Sequence, residues 1–189
     1  MAQERGQTGW RSRCCRLRSA RKFCRSATLS LTVRHFEDGD AASFAQLNLR
    51  WIGEYFGVEE SDRRQLENPN GTILAPGGTI AIAELNGEVV GCGALVPPHH
   101  VPDDGLAWFE LVKMATAPEA QGAGVGGKVL DFLIEQARKQ GCEAIWLETN
   151  ETLTAATRLY ERKGFRRLSC EELWPTPYAR CNLQMVLTL

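Results

Sequence analysis

Residues 29–34, Leu-Ser-Leu-Thr-Val-Arg, alternate apolar and polar side chains with the period of a half-buried strand. The period then lengthens. Phe44, Leu47, Trp51 and Tyr55 recur at helical spacing, and Leu49, Ile52 and Phe56 form a second apolar face. Asp38-Gly39-Asp40 offers helix caps ahead of them. A helix apolar on two faces is expected to pack on a core and to cover something else. A short helix over 61–67 is predicted to stop at Asn68-Pro69-Asn70-Gly71. Two apolar runs, 80–85 and 88–96, are joined by Asn86-Gly87, a strong hairpin signal. After a polar loop over 97–105, Trp108–Thr116 reads as a long strand.

The second half of the chain opens on a glycine-rich turn. Leu130, Leu133, Ile134 and Ala137 then form a helical stripe, with Gly141 placed to end it. Residues 144–147 read as a buried strand and 154–163 as a second helix ended by Gly164. Closing strands are expected at about 165–170 and 182–189, around a loop that carries Trp174-Pro175-Thr176-Pro177. The order β-α-α-β-β-β-α-β-α-β-β is that of an α/β domain with a mixed sheet.

Composition narrows the class. With 189 residues, 43% hydrophobic and 24% charged, the chain has the balance of a soluble globular domain that needs no disulfide staples. It holds no continuous apolar run long enough for a transmembrane helix. Seven cysteines, an odd number without C-x-x-C spacing, argue against a disulfide framework or a zinc site and for a reducing, cytoplasmic location. His99 and His100 could ligate a metal, but the sequence brings no third ligand into view, so a solvated loop is expected and no metal is implied.

The net charge of −1 conceals an asymmetry. Residues 1–27 hold eight Lys/Arg and one Glu, which leaves 14 basic against 22 acidic residues in the remainder. The head shows no periodicity and no apolar core of a secretory signal, so it is read as a disordered basic extension. A tail, a transit-like segment and an upstream start all fit its composition. The acidic body argues against nucleic acid as the main ligand and suits a cationic amine.

The stretch Gln121-Gly122-Ala123-Gly124-Val125-Gly126-Gly127-Lys128 is where chemistry concentrates. Glycines let the backbone approach a ligand, and the first amides of a following helix have no intrahelical partner, so the turn suits a phosphate. Three motifs overlap in it. Gly122-x4-Gly127-Lys128 has the P-loop spacing, but Val129 stands where a Ser or Thr would hold magnesium. Gly122-x-Gly124-x-x-Gly127 has the dinucleotide-binding spacing, with Glu148 downstream. However, residues 117–121 separate the glycines from their strand, and too little chain follows for such a sheet. The third is Gln121-x-x-Gly124-x-Gly126, with Leu159-Tyr160-Glu161-Arg162-Lys163-Gly164-Phe165 downstream.

This last pair of motifs resembles the GNAT superfamily of acyl-CoA N-acyltransferases. The resemblance runs from about residue 29 to 189, weakly before Ile80 and strongly after. It implies a GNAT fold, a mixed central sheet of about six to seven strands with splayed fourth and fifth strands and about four flanking helices, filling 28–189. It also implies an N-acetyltransferase that moves acetyl from acetyl-CoA directly to a primary amine in a ternary complex, without metal. The acceptor would be a small-molecule or protein amine, with no nucleic acid and no membrane as partner, and the protein a monomer or homodimer.

Site residues follow from the same resemblance. Gln121, Gly122, Ala123, Gly124, Val125 and Gly126 would wrap the CoA pyrophosphate. Met114, Ala115 and Thr116 would run beside the pantetheine arm, with the Met114 amide near the thioester oxygen. Tyr160 is the candidate acid for the leaving thiolate and Glu110 the candidate base, with Glu84, Glu148 and His99 as rivals. Leu153 stands where the family pattern has Asn, and Asn150 is the candidate substitute. Ala156 keeps the small residue expected beside the cofactor. Trp51, Glu54, Tyr55 and Phe56, with the loop over 174–178, are candidates to line the acceptor site. A non-catalytic acyl-CoA sensor on the same fold is the alternative.

Overall fold

The computed structural model describes residues 30–189. The expectations for residues 1–27, and Cys14, Cys15 and Cys24, lie outside the described residues. In chain order the elements are β1 (Leu31–His35), α1 (Ala41–Tyr55), α2 (Glu60–Glu67), β2 (Thr79–Leu85), β3 (Glu88–Val96), β4 (Trp108–Thr116), α3 (Val125–Lys139), β5 (Ala144–Thr149), α4 (Thr154–Arg162), β6 (Arg166–Arg167) and β7 (Leu183–Thr188). A single π-helical turn at Asn70–Leu74 follows α2, where the sequence had signalled only a stop.

The seven strands form one sheet in the order β1-β2-β3-β4-β5-β7-β6. All neighbours are antiparallel except β4 and β5, which run parallel. The β2–β3 hairpin turns on Asn86 and Gly87, at φ 56° and 89°, the left-handed pair that this dipeptide tolerates. Both faces of the sheet are covered, so its strands are apolar on both sides. Ala81, Ala83, Leu95, Leu111 and Ile145 pack with the α3 stripe of Val129, Leu130, Leu133 and Ala137. Ile80, Ile82, Ala94 and Val96 pack on the opposite face with Phe44 and Leu66 of α1 and α2.

Several expectations change. The deepest residues of α1 are Phe44, Asn48 and Ile52, a stripe that mixes the two expected faces, while Leu49 is exposed. Asn48 fits the core because its amide donates to the Phe44 carbonyl at 2.9 Å and to Cys92 Sγ at 3.3 Å. The penultimate strand keeps only two residues. Beyond it the chain leaves the sheet in a long excursion, anchored where Glu172 accepts both arms of Arg166 at 2.8 and 3.0 Å. No helix among the described residues is long and apolar enough to cross a membrane. The described cysteines, Cys92, Cys142, Cys170 and Cys181, are free.

Candidate active site

Strands β4 and β5 pair only over Trp108–Leu111 and Ala144–Leu147. Beyond those residues they separate, because β4 bulges and stays with β3 while β5 stays paired with β7 through Glu148 and Thr149. The gap opens into a cavity of about 720 Å³. One end is walled by the glycine turn and α4, from Gln121 to Gly127 and Leu153 to Tyr160. The other is walled by α1, α2 and the C-terminal excursion, through Trp51, Tyr55, Asp62, Tyr178 and Arg180.

The bulge sets which β4 side chains meet. Its register shifts opposite Cys92 and Ala94, and Lys113 carries the extra residue at φ 56°, a conformation costly for a side chain with a Cβ. Strand alternation would send Lys113 to the α3 face with Leu111. The bulge instead turns it toward α2, so Glu110, Val112 and Lys113 share one face.

On that face Lys113 Nζ lies 2.7 Å from Asp62 Oδ1, with both side chains almost wholly buried. Arg180 grips the same carboxylate with two bonds, at 2.7 and 2.9 Å. Its guanidinium sits 4.8 Å above the Tyr178 ring, and the Lys113 ammonium 6.0 Å above it. Burial would push the Asp62 carboxyl up, but Arg180 and Lys113 overcome this and hold it down at about 2. Burial pulls the Lys113 ammonium below its ordinary value, with Asp62 opposing.

Glu110 is buried, and its carboxylate Oε2 lies 3.1 Å from His99 Nδ1. His99 Nε2 lies 2.9 Å from the Pro175 carbonyl. A carbonyl only accepts, so Nε2 carries a proton and the Glu110–His99 contact holds one further proton between them. Burial raises the pKa of Glu110 against the pull of His99. For His99, burial is outweighed by the Pro175 carbonyl and Glu110, and its pKa rises. Glu148 stands beside the pair with both carboxylate oxygens buried and unpartnered, and burial raises its pKa too, with Glu110 adding.

His99 lies on the expected exposed loop, but its ring is engaged rather than free in solvent. Its ring packs 5.1 Å from Trp146, which itself stacks at 4.6 Å on Trp174. That aromatic stack holds His99 over Glu110. The groups beside His99 are Glu110 and Glu148, and the three offer atoms within 4.8 Å of one another; His100 is not among them.

At the other end Gly124, at φ 80°, is the left-handed residue that starts α3. A Cβ built on Gly122 or Gly124 would meet only open space, so the turn is a cradle with room beside its backbone. Tyr160 is buried in α4 yet lines the cavity, and burial alone pushes its phenol up to about 12.

Of the predicted site residues, Trp51, Tyr55, Glu110, Met114, Thr116, Gln121, Gly122, Gly124, Val125, Gly126, Asn150, Ala156 and Tyr160 line this one cavity. Glu54 and Ala123 point to solvent and Ala115 packs into the core; none of the three lines it. Asn150 lines the cavity, but its amide donates to the Arg180 carbonyl at 2.8 Å and its oxygen accepts from Thr152 at 2.7 Å. Of the rival bases, Glu148 and His99 join Glu110. Glu84 is remote, in an ion pair with Arg34 at 2.7 Å beside Asp40. Tyr178 lines the cavity, whereas Trp174 stacks behind it. Asp62, Lys113 and Arg180 were not anticipated.

A family model described as the Acetyltransferase (GNAT) family matches residues 44–165. The chain belongs to the GNAT family. It is similar to YjgM of Escherichia coli, an uncharacterised N-acetyltransferase, with 34% identity over 146 residues, 75% of this chain and 85% of YjgM. Solved structures agree on the fold. A GNAT acetyltransferase from Staphylococcus aureus superposes with a TM-score of 0.72 at 20% identity, over 84% of this chain and 99% of that one. The Salmonella typhimurium acetyltransferase yncA, solved with its cofactor acetyl-CoA, superposes at 0.63 and 20% identity, over 84% and 93%. The chain is thus a GNAT acetyltransferase by family, and the cavity between β4 and β5 is the place to seek its chemistry.

Proposed function

We propose that this GNAT protein transfers the acetyl group of acetyl-CoA directly to a primary amine in a ternary complex. One observation carries the reading. The separation of β4 and β5 joins a glycine cradle, a buried phenol and a buried carboxylate on the walls of a single cavity. The cradle at Gln121 to Gly126, with the unpaired first amides of α3, suits the CoA pyrophosphate. Glu110, its pKa raised by burial, takes a proton from the acceptor ammonium. The free amine attacks the thioester carbonyl, the C–N bond forms and the C–S bond breaks. The Met114 amide, on the bulged strand, is the candidate donor to the transient oxyanion. Tyr160, its phenol pushed up to about 12 and so protonated at neutral pH, gives its proton to the departing thiolate and is restored by the proton that the nitrogen sheds as the amide forms. The products are an N-acetylated amine and CoA.

The test is a CoA-release screen with acetyl-CoA over amine classes, with calorimetric binding of acetyl-CoA run beside it. Release with at least one amine class is the expected result. Tight acetyl-CoA binding without release from any amine would overturn catalysis and leave a non-catalytic acyl-CoA sensor.

A further inference from the structure

We infer that the acceptor amine also carries a carboxylate, bound by Lys113 and Arg180 at the α2 end of the cavity. The inference rests on the acetyl-transfer reading of the same cavity. Two cations there share one fully buried carboxylate, Asp62. Asp62 is saturated: it accepts from Lys113, twice from Arg180, and from the Glu59 amide at 3.2 Å. The other acid nearby, Glu59, reaches only Arg180, at 3.5 Å, from a more exposed position.

Donors remain on both cations. Among the described residues the Lys113 ammonium makes one of its three hydrogen bonds, and the Arg180 guanidinium keeps its Nε–H unused. Both residues line the cavity. A clamp tying α2 to β4 needs only Lys113 and Asp62; Arg180 adds a second cation whose desolvation cost Glu59, at 3.5 Å and partly exposed, offsets only in part. The left-handed backbone that turns Lys113 onto this face is a further cost concentrated at the site.

The two ends of the β4 face are complementary. Glu110 and Glu148 present carboxylate oxygens to an ammonium, and three residues along β4 Lys113 presents a donor. That spacing is on the order of 10 Å along a strand, shortened by the side chains reaching inward. It admits α-amino acids and short ω-amino acids. Trp51, Tyr55 and Phe56 offer an apolar wall to the rest of the molecule.

The experiment uses the unmodified protein first. CoA release is measured with a panel of α- and ω-amino acids, each beside its carboxamide and its decarboxylated amine. The carboxylate form is expected to exceed its amide in kcat/KM by about tenfold or more, because a site built for a charged partner rejects the analogue that lacks it. Equal or better rates with the forms that lack the carboxylate would overturn the inference while leaving acetyl transfer standing. Silence across the whole panel and across other amines would instead fail the acetyl-transfer reading itself. In Arg180→Met and Lys113→Met the KM for the carboxylate should rise about tenfold, with the amide and the acetyl-CoA Kd little changed. Equal losses on both substrates would assign the pair to a structural clamp and overturn the subsite.

Discussion

Lys113 holds its ammonium 2.7 Å from Asp62 Oδ1, and neither side chain is more than 4% exposed. The pair joins α2 to β4, and Arg180 adds the C-terminal excursion to the same carboxylate. Removing the charge of Asp62 leaves two largely buried cations facing each other, with only the partly exposed Glu59 near Arg180. Asp62→Asn should destabilise the fold by about 3 kcal/mol or more, read as a lowered denaturant midpoint. The pH dependence has a definite sign. The Asp62 pKa is about 2 in the folded protein and 3.8 as a free group, so its stabilisation is complete above pH 3.8 and is lost as pH falls toward 2. The variant should lack that acid-side loss, and an unchanged acid transition would show that Asp62 does not anchor this wall.

Tyr160→Phe removes a hydroxyl that lines the cavity, and little packing. Turnover should fall about 100-fold with acetyl-CoA affinity unchanged, since the phenol acts on the leaving thiolate rather than on binding. In the native protein, a phenol at about 12 contributes no loss of rate up to pH 10. Full turnover in the phenylalanine variant would take the acid role away from Tyr160.

Glu110 works as a base only when ionised, and burial raises its pKa. The rate should therefore climb with pH through that raised value. Glu110→Gln should flatten this climb and lower the plateau about 100-fold. His99 opposes the upward shift of Glu110, so His99→Ala should move the climb to higher pH. A climb that stays in place in both variants would assign the proton to another group, with Glu148 next in reach.

Gly124 occupies a left-handed conformation beside open space. Asn tolerates that backbone better than other side chains and fills the cradle. Gly124→Asn should weaken acetyl-CoA binding about tenfold, a loss of about 1.4 kcal/mol, with a small change in melting temperature. Undiminished affinity would move the pyrophosphate to another wall.

Local features were legible because they are written in short windows. The α3 stripe, the Asn86-Gly87 hairpin and the turns at Gly141 and Gly164 each depend on residues a few positions apart. The same holds for Gln121-x-x-Gly124-x-Gly126 and the Tyr160 segment, which together led to the cavity. Asn48 carried no sequence signal, because a polar residue in an apolar stripe looks like a surface position until its partner Cys92 is known, 44 residues away. The predicted strand after Gly164 came out short: only Arg166 and Arg167 pair with β7, and the chain then turns back to place Glu172 against Arg166.

What the sequence determined by itself was the order of elements, the mixed α/β class and the glycine turn that begins α3. Backbone propensity and hydrophobic period act over a few residues and leave a readable trace. Only the tertiary structure decided where charge would gather. A single bulged residue, Lys113, changes faces when β4 holds to β3 and parts from β5. That places it against Asp62, and Asp62 against an arginine 118 residues later in the chain. His99 meets Glu110 because Trp146 and Trp174 stack beneath it. Such meetings depend on register and packing between distant segments, and no periodicity along the chain encodes them.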